Sequence, residues 1–157
     1  MTTFDAVTSG KITSNGSSCT FAHTISSNSN RVLLVFATGD KITDTGVTLS
    51  CTYGGVAMSS LGTRHSGDDT NGFMTAFLLI NPASGTANVV VTQSVSTGRI
   101  SAGAMSFSDA SQTAGDYTLT SAANSEASRP VATLLNGKES VDVIIARPQP
   151  IREARGG

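Results

Sequence analysis

The chain has 157 residues, the size of one domain, and a chain of this length buries enough surface to fold without disulfide or metal staples. Its formal net charge is -1 and only 13% of its residues are charged, which excludes the basic footprint of a nucleic-acid binder. It has no apolar stretch near the roughly 20 residues that span a bilayer, and Met1-Thr2-Thr3-Phe4-Asp5 does not open a secretory leader. The expectation is a soluble protein made in a cytoplasm, with no nucleic-acid and no membrane partner.

Polarity comes from 22 serines and 21 threonines rather than from charge. The hydrophobic period is two. Cys19, Phe21, His23 and Ile25 alternate with small or hydroxylated residues, as in a half-buried strand. Residues 31–37 (Arg-Val-Leu-Leu-Val-Phe-Ala) are almost continuously apolar, which predicts a central strand covered on both faces. After a polar loop over 39–46, Val47, Leu49, Cys51 and Tyr53 alternate again. Gly54-Gly55 predicts a tight turn with positive φ, and residues 56–58 begin the return strand.

Residues 62–72, with Arg64, His65, Asp68, Asp69 and Asn71, read as an exposed loop. Residues 73–80 form the next strand, ended by Asn81-Pro82 because proline lacks the ladder N–H. Residues 87–92 and 100–107 follow, the latter with Gly103 as a candidate bulge or close approach. Residues 117–122 and 131–135 are weaker strands, and Asn136-Gly137 predicts a hairpin into Val141, Val143 and Ile145. About nine or ten short strands with no helix predict an all-β fold, an antiparallel β-sandwich or barrel. Residues 1–146 make that single domain. Residues 147–157 differ: Arg147, Pro148, Pro150, Ile151, Arg152 and Arg155 mark an extended, net-positive segment that reads either as a frayed tail or as an arm lying on a neighbouring subunit.

The search for chemistry returns little. His23 falls on the inward side of its strand and reads as a core residue. Serine, histidine and acid side chains are all present, yet no G-x-S-x-G elbow sets them in a strand–turn–helix. His65, Asp68 and Asp69, or Asp40 and Asp44, offer no recognisable metal-ligand spacing. Cys19 and Cys51 read as two small buried hydrophobes, a bridge between them requiring Cα atoms within about 7 Å. No cofactor, metal or catalytic residue is expected.

One succession of segments is familiar. Thr20-Phe21-Ala22-His23-Thr24, Asn30-Arg31-Val32-Leu33-Leu34-Val35, Thr52-Tyr53-Gly54-Gly55-Val56-Ala57-Met58, the run from Phe77 to Pro82, Val89-Val90-Val91-Thr92 and the run from Ser101 to Phe107 resemble the jelly-roll-like β-sandwich domains of bacteriophage structural proteins. The resemblance covers roughly the central 90 residues. It implies a non-enzymatic virion protein of the capsid decoration (cement) or head-fibre type, located on the capsid exterior. Its implied partners are the major capsid protein and further copies of itself, as a dimer or trimer. The family pattern continues for further strands where this chain passes into Arg147 and Pro148, which leaves open whether a sheet edge is completed by a partner. A reading from another class is a glycan-binding or adhesion module of a tail fibre or cell-surface protein, using the loops over 39–46 and 62–72 as its tip.

Overall fold

The computed structural model describes residues 1–40, 46–65, 72–96, 98–119, 131–136 and 139–144, the last two stretches, Asp40 and His65 as backbone only. Eleven strands are described: β1 (Thr3–Lys11), β2 (Ser18–Ile25), β3 (Val32–Asp40), β4 (Leu49–Tyr53), β5 (Val56–Ala57), β6 (Ser59–His65), β7 (Phe73–Ile80), β8 (Gly85–Gln93), β9 (Arg99–Ser108), β10 (Val131–Asn136) and β11 (Glu139–Ile144). Among the described residues a 3-10 turn, Ala114–Asp116, follows β9.

One sheet has the order β1-β9-β3-β7-β6 and the other β2-β8-β4-β5. All pairings are antiparallel. Strand β1 pairs with β9 and β3 with β7 in the first sheet, β2 with β8 and β4 with β5 in the second. This is a long hairpin rolled into two layers, the strand order of a jelly roll, with β6 added at one edge. The predicted all-β, jelly-roll-like sandwich is therefore what the chain forms.

The two layers meet on Leu33, Val35, Phe77, Ile100 and Ala104 from the first sheet and Cys19, Ile25, Cys51, Tyr53, Val89 and Val91 from the second. Burying these side chains is the main driving force for the stack. A second core lies on the opposite face of the first sheet. There Val32, Leu34, Phe36, Met74, Ala76 and Leu78 pack against Ala110, Tyr117 and Leu119. Strand β3 thus feeds both cores, and every residue of the run 32–37 is buried, as its unbroken apolar sequence predicts.

The segment after β9 covers that second core and is fastened at its turns. Tyr117 donates its hydroxyl to the Ser111 carbonyl at 2.6 Å, and Arg64 donates from Nη2 to the Leu119 carbonyl at 2.8 Å. Arg31 ties two adjoining turns by donating to the carbonyls of Pro82 and Asn28. The turn at Gly54-Gly55 has φ of 55° and 82°, the positive values its sequence predicts and glycine adopts without strain.

Two strands depart from the sequence reading. Strand β1 has no clean alternation, and β6 falls partly in the region read as the 62–72 loop; both are edges of the first sheet. Each is extended because it hydrogen-bonds to a well-formed neighbour, β9 or β7. In β6 a bulge between Ser60 and Gly62, with Gly62 at φ 125°, breaks the register. Gly103 makes no bulge; it is regularly paired with Ser9 and Phe36. The weak strand expected at 117–122 is, over 117–119, irregular chain sealing the second core, and 120–122 lie outside the described residues. The hairpin predicted at Asn136 forms: Asn136 faces Glu139 and β10 pairs with β11 along its length.

Candidate functional site

Among the described residues, a set of chemically capable side chains gathers where β1, β2 and β9 meet. The Asp5 carboxylate accepts from the Ser26 backbone N–H at 3.1 Å, from the Ser26 hydroxyl, and from the Ser106 hydroxyl at 2.7 Å. Next to it, His23 Nδ1 shares a 2.8 Å hydrogen bond with the Thr8 hydroxyl. Tyr53 donates its hydroxyl to the Gly85 carbonyl at 3.0 Å and the His23 carbonyl at 3.3 Å, and its ring meets the imidazole edge-on.

Local sequence places each of these groups. Asp5 is the extra residue of a bulge in β1, where the register slips between Phe4 and Ala6. The bulge turns the carboxylate toward Ser106, the inward-facing residue of β9. His23 takes an inward position of β2, as the alternation predicts, and is 1% exposed. Burial alone would raise the Asp5 carboxyl, but the hydrogen bonds from Ser26 and Ser106, together with the nearby imidazole, outweigh it and hold the group below its ordinary value. Burial pushes His23 down, and the negative charge of Asp5 offsets part of that shift. Imidazole Nε2 is buried with no hydrogen-bond partner, so charging this ring inside the sandwich is costly.

Serine, histidine and aspartate therefore do come together, but in separate pairs. Ser26 and Ser106 bond to the carboxylate, and the imidazole bonds to a threonine. Ser106 is 0% exposed. The cluster lacks the serine–histidine hydrogen bond by which a general base activates a nucleophile. What the arrangement does is pin β1, the edge strand, to β2 and β9 through polar side chains. Sequence reasoning found His23 alone. Asp5 and Ser106 are 101 positions apart, and only the rolled topology makes them neighbours.

The thiols are structural. Cys19 and Cys51 both face Val91 of the intervening strand β8, so two interstrand spacings, about 9.6 Å, separate them, beyond the span of a disulfide. Both are free and buried; burial pushes the Cys51 thiol up to about 12 and raises Cys19 as well, which removes the thiolate needed for reactivity.

At one end of the first sheet a shallow hollow of about 290 Å³ is lined by Lys11, Ile12, Thr13, Thr38, Arg99 and Ser101. Strand β3 ends at Asp40 at this end, and Gly39 and His65 both pair with Phe73. The stems of the two loops proposed as a tip are thus adjacent. The loop residues 41–45 and 66–71 lie outside the described residues, and with them Asp44, Asp68 and Asp69, as do the side chains of Asp40 and His65. The arm residues Arg147, Pro148, Pro150, Ile151, Arg152 and Arg155 also lie outside them.

Among the described residues no helix is long and apolar enough to cross a membrane. Set beside known proteins, the chain matches no family model, no curated protein and no solved structure. Its assignment therefore stops at the architecture: an all-β, jelly-roll-like sandwich.

Proposed function

We propose that the chain is a structural virion protein, a capsid decoration (cement) protein. It sits on the capsid exterior, binds across neighbouring copies of the major capsid protein, and associates with itself as a dimer or trimer. The observation that carries this reading is the jelly-roll strand order combined with a polar cluster spent on fastening strands. Asp5, His23, Ser26 and Ser106 hold the sandwich edge together and present no serine paired to the imidazole. Such a domain works by its surface. Many weak contacts distributed over a shell stabilise it by mass action, with interfaces of roughly 1,200–2,000 Å² each. In this reading residues 147–157 are an arm lying on a neighbouring subunit, Ile151 its apolar anchor and Arg147, Arg152 and Arg155 its partners for carboxylates.

The test is binding to expanded capsids that lack the protein. Saturable binding, with DNA released at a higher temperature, is expected; absence of both overturns the proposal. Deleting residues 147–157 lowers the affinity if the arm takes part and leaves it unchanged if the arm is passive.

The second reading, a glycan-binding or adhesion module, is favoured by one observation: the hollow and the stems of the 39–46 and 62–72 loops share one end of the first sheet. A glycan array with and without calcium decides it, and blank arrays in both conditions remove it.

A further inference from the structure

Edge strands of a sandwich are usually blunted by shortness, charge, proline or a twist. Among the described residues three edges follow that rule or show only small and hydroxylated side chains outside. Strand β5 has two residues. Strand β6 carries its bulge beside Gly62 and ends in Arg64 and His65. Strand β2 turns Ser18, Thr20, Ala22 and Thr24 to solvent.

Strand β1 carries a bulge too, at Asp5, and differs instead in what it shows to solvent. It has nine residues, no proline, and Lys11 as its only cation. It pairs with β9 on one side and, among the described residues, with no strand on the other. Two large apolar side chains stand on its outer face: Phe4 is 56% and Val7 61% exposed. They continue onto half-buried Phe107 and Met105 of β9, their register partners, with the Phe4 and Phe107 rings 6.0 Å apart and edge-on. The strip joins an unpaired backbone ladder to an apolar row.

We propose that β1 is a self-association edge: two copies of this chain pair antiparallel along β1, about a two-fold axis between Asp5 and Ala6. This register is chosen by the side chains. It sets Phe4 of each copy opposite Val7 of the other, so the four exposed apolar groups cover one another. It also sets Asp5-Ala6 of one strand against Ala6-Asp5 of the other. Two residues then face two, and the bulge that slips register against β9 causes no slip here. The Asp5 carboxylate stays directed inward, held by Ser26 and Ser106.

In this register Thr3 to Thr8 of the two strands overlap, six residues or about 20 Å. Pairing them, with one row of side chains, covers on the order of 700 Å² in total, below the range of stable specific interfaces. The free pair is therefore weak, and becomes persistent when many copies are held close together on one surface. The inference deepens the decoration-protein reading by naming the surface of self-contact, and rests on that reading only for this last step.

Sedimentation equilibrium of the full chain, from micromolar to near-millimolar, measures the association without capsids. A reversible monomer–dimer equilibrium is expected, weakened at least tenfold by Val7→Lys, with Val7→Thr as the milder change should lysine lower the melting temperature. For the register, an equimolar mixture of Phe4→Cys and Val7→Cys proteins forms a disulfide-linked heterodimer on mild oxidation. Val7→Cys alone does not, because the two positions stand three residues apart along the pair, about 10 Å, beyond disulfide reach. Cys19 and Cys51 are buried and do not compete. A monomer at every concentration with no cross-link in the mixture overturns the proposal. So does a dimer indifferent to both Val7 substitutions, or self-linking of Val7→Cys as fast as the mixture. Since no capsid takes part, failure here and failure of shell binding are separate results.

Discussion

The two sheets of this sandwich solve different problems with the same strand geometry. The second sheet has one buried face. Along β2, Cys19, His23 and Ile25 go inward, while Ser18, Thr20, Ala22 and Thr24 face solvent. On β8 and β4, Thr86, Asn88, Thr92 and Ser50 continue that exposed face. Thr24 and Thr86 join hydroxyls across the strands at 2.7 Å. This is where the serine- and threonine-rich composition is spent: a wet face made polar by hydroxyls in place of charge. The first sheet is buried on both faces at its centre. Its inner side packs on the second sheet and its outer side under Ala110, Tyr117 and Leu119. A sheet with one wet face can be specified by alternation; one with two dry faces cannot be, and needs a later segment of chain to cover it.

The sharpest way to break this comparison is to empty each face in turn. Leu33 and Leu34 are neighbours on β3, both 0% exposed, one in each core. Each changed to alanine costs about 2–5 kcal/mol, read by urea unfolding. A cost under about 1 kcal/mol for Leu34→Ala would show that the 109–119 cover adds little and that the sheet is in effect one-sided.

A smaller effect probes the joint between the sheets. An added Cβ on Gly10 of β1 would come within 2.5 Å of Phe21 Cδ1 and 2.9 Å of Phe21 Cβ on β2. Because the obstruction includes the root of the side chain, rotation of the ring does not relieve it. Gly10→Ala is expected to cost about 1–3 kcal/mol, with a lower melting temperature. An unchanged one would mean that the edge strand floats free of the second sheet.

The polar cluster gives the same joint a pH dependence. The folded pKa of His23 lies below its unfolded value, so the unfolded chain binds the proton first. The stability of the neutral, buried ring is complete above the ordinary histidine value of 6.5 and is lost as pH falls through and below it. Asp5, also lowered in the folded state, adds a second loss below the ordinary carboxylate range. Melting temperature should therefore drop in two stages on acidification. His23→Gln removes the first stage and keeps the second; a wild-type profile flat between pH 7 and pH 5 contradicts this account. Thr24→Ala, on the wet face, should move stability by no more than about 0.5 kcal/mol, and a larger loss would mean that this face is less solvated than its exposure implies.

Strands with both faces or one full face in the core were legible in the sequence, because a buried strand leaves a row of apolar side chains at period two or an unbroken run. That row gave β2, β3, β4, β7, β8 and β9, and glycine pairs and Asn-Gly gave the turns. Strands β1 and β6 were not legible. An edge strand presents part of its surface to solvent, so TFDAVTSGK and SSLGTRH need no regular apolar row, and their extended state is stabilised by hydrogen bonds to a neighbour far away in the sequence. The candidate site shares this fate. His23 is marked by its parity in β2, whereas Asp5 matters only because a bulge in β1 turns it toward Ser106.

Composition and periodicity by themselves determined that this chain is all β, that residues 32–37 lie at its centre, and that its polarity comes from hydroxyls in place of charge, since each depends on residue type and local spacing alone. The tertiary structure decided the rolled order of the strands, which segment roofs the second core, which groups meet at Asp5, and that β1 keeps Phe4 and Val7 in water. These depend on contacts between residues more than a hundred positions apart in places, for which closing the chain, and not any local preference, supplies the partner.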